Sequence, residues 1–161
     1  MKHSNSDGFS HLDDSGQAHM VDVSQREITS RTARASGKVL LSNEVIDLLR
    51  GAGIPKGDVL AAARIAGIMG AKRTVDLIPL CHPIAISGIS LDAIVVDDGV
   101  EITAAVKTTD RTGVEMEALT AVSVAALTVV DMVKSIDPSA TITNIRVDAK
   151  DGGRNGAWNR Q

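Results

Sequence analysis

The longest regular alternation of apolar and polar positions lies in residues 112–134, TGVEMEALTAVSVAALTVVDMVK. At 100° per residue, Ala118, Ala121, Val122, Ala125, Val129, Met132 and Val133 fall on one side. Glu117, Thr120, Ser123, Thr128, Asp131 and Lys134 fall on the other, interrupted by Val124 and Leu127, with Glu115 off the stripe. A solvated face would carry Lys, Glu and Arg along its length. Here the charges stand only at the two ends, so the pattern predicts a long helix covered on both sides.

Shorter patterns surround it. Alternation in residues 32–39 predicts a strand, with Arg31, Arg34 and Lys38 supplying charge. Ser42 is a predicted N-cap for a helix over Asn43–Arg50, closed by Gly51. Within residues 54–74 a turn at Pro55 to Gly57 leads to a second helix, capped by Asp58. Val59, Leu60, Ala63, Ala66, Gly67 and Gly70 recur there at helical spacing, and residues so small require a close neighbour. Pro79 and Pro83 bracket Leu80, Cys81 and His82 and predict a fixed extended shape for them. Residues 84–96 and 100–108 read as strands joined by a turn at Asp97-Asp98-Gly99. Asp137-Pro138 stops the long helix, and residues 141–149 alternate as a last strand.

The order strand, helices, strand, strand, helix, strand is the split β-α-β arrangement of an α+β, ferredoxin-like fold. It predicts an antiparallel sheet with helices on one face. Strands rich in Ala and Val favour covering of the other face too, hence an oligomer.

Composition narrows the chemistry. The 161 residues suit one domain, residues 19–161, behind a tail, residues 1–18, too poor in apolar groups to order itself. With Phe9, Trp158 and no Tyr, the chain has no aromatic platform for bases, and a net charge of -3 does not suit a polyanion binder. The single Cys81 fits a reducing cytoplasm, and no signal-peptide pattern opens the chain. The uncharged apolar run 118–130 is too short to span a bilayer. His3, His11 and His19 are spaced too irregularly for a metal site.

Three features leave two readings each. Asp131 and Lys134, spaced i, i+3, are either a helical ion pair worth about 0.2–0.5 kcal/mol or an acid–base pair tuned by partial desolvation. His82 is either a structural hydrogen-bonder or a ligand contact. The tail from Lys150 through Arg154 to Gly156 is either a phosphate cradle of backbone N–H groups and two cations or a flexible basic terminus.

Taken together, MVDVS, KGDVLAAARIAGIMGAKRTVDLIPLCHP, RTGVEMEALTAVSVAALT and DMVK resemble the cyclic pyranopterin monophosphate synthase family, also called molybdenum cofactor biosynthesis protein C. The similarity covers roughly residues 20–156. It implies conversion of 3′,8-cyclo-7,8-dihydro-GTP to cyclic pyranopterin monophosphate with release of pyrophosphate. The purine-derived ring is opened and reclosed, and a cyclic phosphate forms at the α-phosphorus. These steps call for proton transfers and cations. No metal or other cofactor is implied, magnesium entering only with the triphosphate. By the same resemblance Asp131 and Lys134 match an active-site Asp-x-x-Lys, and Lys56 matches a lysine for phosphate binding or proton transfer. Leu80, Cys81 and His82 match one substrate-contacting segment and Met116 and Glu117 a second, while Lys150 and Arg154 lie where the phosphates are gripped. Cys81 is expected to serve through packing or backbone contact. The family implies a homohexamer, a trimer of dimers with sites at subunit boundaries, no nucleic acid and no membrane.

The chain departs from the family's Lys-x-Gly-Gly-Lys-Ser-Gly at Asp151, Arg154 and Asn155, and has Val130 where a Tyr is common. Arg154 keeps the charge and can grip phosphate bidentately, while Asp151 adds an anion. Two other readings compete: a ligand-sensing ferredoxin-like module or inactive relative, and a zinc-dependent cyclohydrolase-like ring opener. The first would be expected to lose Asp131, Lys134 or Lys56; the second needs more Cys and His ligands than one Cys beside one His.

Overall fold

The computed structural model describes residues 10–13, 15–51 and 58–161. Along the chain run β1 (Thr29–Leu40), α1 (Asn43–Arg50), α2 (Val59–Ala71), α3 (Thr74–Leu77), β2 (Ile86–Val96), β3 (Gly99–Asp110), α4 (Glu115–Val133), β4 (Thr141–Asp151) and β5 (Trp158–Asn159). The strands form one antiparallel sheet in the order β2-β3-β1-β4-β5. β1 and β2 therefore lie apart with β3 between them, the split arrangement the element order predicts.

One face of the sheet is covered by the chain's own helices. On β1 the odd positions Ala33, Ala35 and Val39 are buried; on β3 the even positions Val100, Ile102, Ala104 and Val106 are. α4 packs across β1, β3 and β4, and α2 lies against α4 and β2. The small residues of α2 do what their size predicts: a Cβ added at Gly67 would stand 2.3 Å from Leu91 Cδ1 and 2.8 Å from the Ala121 carbonyl oxygen. Only a residue without a side chain lets α2 come this near to α4. By length and composition α4 could cross a membrane. In this fold, Ala118, Ala121, Val122, Ala125, Ala126, Val129 and Val133 along it are buried.

The Ala and Val of β1 and β3 lie on this helix-covered side. The opposite side presents exposed Arg34, Glu101, Thr103 and Lys107 with half-buried Ser36 and Lys38. Exposed apolar groups stand on that face, at Leu40 and Ile94, and on the helices, with Ile65 and Met69 on α2 and Leu127 on α4.

Several boundaries differ from the sequence reading. The stretch read as one helix breaks after Ala71 and resumes as α3, where the Thr74 hydroxyl donates to the Ala71 carbonyl at 2.9 Å. The β2–β3 turn is Asp97-Asp98 alone, and Gly99 already pairs with Val96 and Leu40. α4 ends at Val133, short of Asp137-Pro138, and the Asp137 N–H returns to the Val133 carbonyl at 2.9 Å. The tail beyond β4 turns back as β5 and pairs with it, a strand of two residues that is too short to show alternation. Residues 1–9, most of the predicted tail, lie outside the described residues. Nearer the domain, the Asp13 carboxylate accepts from Ser15 and Gln17, and Leu12 bridges to Ala18.

Candidate active site

The first turn of α4 serves two cavities. Glu117, one of the charges expected at the ends of the polar stripe of α4, is 4% exposed. Burial, then its own backbone contact working the other way and the neighbouring Glu115 carboxylate, leave its carboxyl above the ordinary value of 4.5. Glu117 lines a cavity of about 470 Å³ together with His82, Lys72, Thr74, Ser87 and apolar groups such as Ile68 and Ile86. Cys81 adjoins this region: burial first, and the Glu117 charge second, push its thiol up from 9.0. A thiol so held is a poor nucleophile, in keeping with the packing role expected of it.

His82 is fixed by its Nε2, which donates to the Val21 carbonyl at 2.6 Å. The neutral ring then offers Nδ1 as an acceptor, and donation from Nδ1 needs a second proton. The same contact ties the MVDVS stretch to the cavity wall, and Arg111 Nε holds its far end by donating to the Ser24 carbonyl at 3.3 Å. Leu80 sits in a turn closed by the Cys81 N–H on the Ile78 carbonyl at 3.1 Å, so the two prolines do not hold all three residues extended.

The second cavity, about 690 Å³, gathers Arg26, Arg31, Lys150 and Arg154 around Thr112 and the glycines of the tail. Its anions are Glu27, Glu115 and Asp151. Lys150 Nζ donates to Glu115 Oε1 at 3.0 Å, and Arg31 Nε to the Asp110 carbonyl at 3.0 Å. Asp151, the departure that adds a charge, turns its Oδ1 onto the Gly152 N–H at 2.8 Å. A pocket with four cations, a hydroxyl and a glycine-rich loop is chemically a place for phosphate oxygens.

Asp131 and Lys134 stand at the far end of α4. Lys134 Nζ donates to Asp131 Oδ1 at 2.7 Å, and both side chains are more than half exposed. The partial desolvation required by the acid–base reading is thus not supplied within one copy of the chain. Counting residues along the helix, the pair lies about 21 Å from Glu117. Met116 is 38% exposed beside Glu117. Lys56 lies outside the described residues. Among the described residues, no group of three or more His, Cys, Asp or Glu is placed to hold a metal ion.

Arg31, Glu115, Lys72 and Thr74 join the cavities without having been singled out from sequence. Arg31 had a legible sign: it shares the odd phase of Ala33, Ala35 and Val39, and an arginine in the buried phase of a strand needs a reason. Lys72 and Thr74 had none, because only the break between α2 and α3 brings them to the cavity.

The sequence model of the MoaC family matches residues 20–153. A protein of Streptomyces avermitilis named cyclic pyranopterin monophosphate synthase is 68% identical over 154 residues, covering 96% of this chain and 91% of its own length. A Nocardioides protein of the same name is 64% identical over 155 residues, 94% of this chain and 95% of its own. Cyclic pyranopterin monophosphate synthase 2 of Mycobacterium bovis is 58% identical over 153 residues, 95% and 92% of the two chains.

Proposed function

The chain belongs to the MoaC family and is an enzyme of molybdenum cofactor biosynthesis, a cyclic pyranopterin monophosphate synthase; we propose that its two cavities divide one nucleotide substrate between them. The basic cavity takes the triphosphate of 3′,8-cyclo-7,8-dihydro-GTP, with Lys150, Arg154 and Arg31 neutralising it. Lys150 exchanges its Glu115 partner for phosphate oxygens when substrate binds. The cavity lined by His82 and Glu117 takes the purine-derived ring, where a carboxyl whose affinity for its proton is raised by burial can, once protonated, donate to a ring nitrogen or carbonyl. Leu80, Cys81 and Met116 pack around it. The observation that carries this division is that both cavities draw on one helical turn, Glu115 facing the cations and Glu117 the half-apolar space.

Asp131, Lys134 and Lys56 handle the protons as the ring opens and recloses and the α-phosphorus is attacked. Magnesium enters as the triphosphate's counter-ion. Because Asp131 and Lys134 lie about 21 Å along α4 from Glu117, one copy of the chain does not bring them to its own cavities. A neighbouring copy supplies them, docking through exposed apolar groups such as Leu127, and thereby buries the Asp131–Lys134 pair. The homohexamer implied by the family resemblance, a trimer of dimers in the cytoplasm, accommodates such shared sites.

The test mixes inactive chains. Asp131→Asn and Lys150→Ala should each lower pyrophosphate release at least 10²-fold at subsaturating substrate. Unfolded and refolded together, they should regain activity, since a mixed pair of copies forms one intact site. Failure of the mixture to exceed either parent would place the whole site within one copy. Near-wild-type turnover in Asp131→Asn would leave that residue a structural helix-end acid.

A further inference from the structure

The glycine-rich loop that walls the basic cavity has almost no side chains with which to hold its own shape. Gly152, Gly153 and Gly156 adopt φ of 91°, 77° and 63°, conformations open to glycine. The first two lie flat on β1: a Cβ would stand 2.1 Å from the Ser30 carbonyl oxygen at Gly152 and 2.2 Å from Arg31 Nη1 at Gly153. The Gly152 N–H is held by the Asp151 carboxylate at 2.8 Å and the Gly156 N–H by the Gly153 carbonyl at 3.2 Å, yet glycine also gives the loop the largest freedom to leave. Ties from outside the loop add to these two bonds.

One leg of the loop is secure, since Lys150 and Asp151 pair with Ala33 and Thr32 of the central strand. The other leg is β5, whose strand pairing consists of Ala149 with Asn159 and Lys150 with Trp158. Arg160 closes that leg in three ways. Its backbone N–H donates to the Asp148 carbonyl at 2.7 Å, its Nε donates to the Val147 carbonyl at 2.8 Å, and its guanidinium lies 5.5 Å from the Trp158 ring centroid. The pair forms a clasp across the base of the hairpin, with Trp158 opposite the very lysine that faces the cavity.

We propose that Arg160 and Trp158 are positioning residues for phosphate binding: their clasp holds the Gly152–Gly156 loop against Arg31 and sets Lys150 toward the substrate's phosphates. This rests on the reading of the basic cavity as the triphosphate site. Neither residue touches the reacting atoms, so the clasp acts on affinity and leaves the chemical step alone. It also lies on an exposed hairpin away from the core, so the fold does not depend on it.

The experiment uses the full-length chain, with KM for the cyclic dihydro-GTP substrate, kcat, and the inhibition constant of pyrophosphate as readouts. Arg160→Ala and Trp158→Ala should each raise KM and the pyrophosphate inhibition constant about fivefold, the scale of one exposed cation–π contact and its accompanying bond. The value of kcat should stay within twofold and the thermal midpoint nearly unchanged. Trp158→Phe, which keeps an aromatic face beneath the guanidinium, should restore wild-type values. Amide exchange across Gly152–Gly156 should quicken in the two alanine variants and not in Trp158→Phe. Lys150→Ala separates the two layers of the argument. If it weakens substrate and pyrophosphate while Arg160→Ala weakens neither, the clasp has no positioning role. If Lys150→Ala itself leaves both unchanged, the cavity does not bind the phosphates and the clasp proposal falls with that reading.

Discussion

The two ends of α4 each hold a carboxylate that is 4% exposed, and the protein treats them in opposite ways. Asp137, just past the helix, accepts from the Ser42 N–H at 2.7 Å, the Ser139 hydroxyl at 2.6 Å and the Ser139 N–H at 3.0 Å. Those bonds, Ser139 foremost, hold its carboxyl below the ordinary 3.8. Glu117, in the first turn, faces a half-apolar cavity, and burial holds its carboxyl up. Equal surface exposure therefore does not settle charge: apolar surroundings dominate at Glu117 and bonded donors at Asp137. Asp137 is an anion that ties α1 to the segment after α4; Glu117 is an acid kept ready at a cost to the fold.

The largest effect expected from this contrast is at Asp137. Asp137→Ala should cost about 2 kcal/mol, since it removes the charged acceptor shared by the half-buried Ser42 N–H and the Ser139 hydroxyl and N–H. Urea unfolding at neutral pH measures this. The depressed carboxyl adds stability that is complete above its ordinary 3.8 and is lost as pH falls through its lower folded value, so the gap between wild type and variant should close only in strong acid. A gap that stayed constant into strong acid would mean the anion is not what matters.

Glu117→Gln should go the other way. A raised carboxyl gives stability that is complete below the ordinary 4.5 and is lost as pH rises through its higher folded value. At pH 8 the glutamine variant, free of the buried charge, should melt about 2–4 °C above wild type. At pH 4 the two should coincide. Its activity should fall, the exchange of stability for function that a buried site acid represents. A variant less stable than wild type at pH 8 would mean that Glu117 has a compensating partner and belongs with Asp137.

The smallest effect concerns the exposed pair near the helix C-terminus. In the separated chain, Lys134→Met should change stability by no more than about 0.5 kcal/mol, as for any surface i, i+3 pair. A larger loss in the assembled enzyme than in the separated chain would show the pair becoming buried on assembly.

The sequence carried the fold well because its strongest patterns are periodic and local. The alternation on either side of Asp97-Asp98, the caps at Ser42 and Asp58, and the glycines at Gly67 and Gly70 each state a local geometry that tertiary packing preserves. The polar stripe of α4, read as covered, is buried at Thr120 and half-buried at Ser123 and Thr128, whose hydroxyls are satisfied on the helix's own carbonyls at 2.7–2.8 Å. Such residues pass into buried or half-buried positions without an outside partner, which is how a polar stripe can lie under cover. Glu117 was hidden, as a charge is ordinarily read as exposed. For the site, motif resemblance named Lys150, His82 and Glu117. No local pattern could show that Arg31 from β1, Glu115 from α4 and Lys150 from β4 meet, since sheet order alone brings β1 beside β4.

Trp158 has one more consequence. The chain has a single Trp and no Tyr, and that Trp is 42% exposed on the terminal hairpin. Ultraviolet emission from this protein therefore originates beside the glycine-rich loop and hardly at all from the core. Unfolding of the sheet parts Trp158 from Lys150 and Arg160 and should change it, and occupation of the basic cavity should alter its intensity in the folded chain through the adjacent guanidinium. The native chain thus carries a built-in optical reporter, and a pyrophosphate titration followed by fluorescence needs no label to read it.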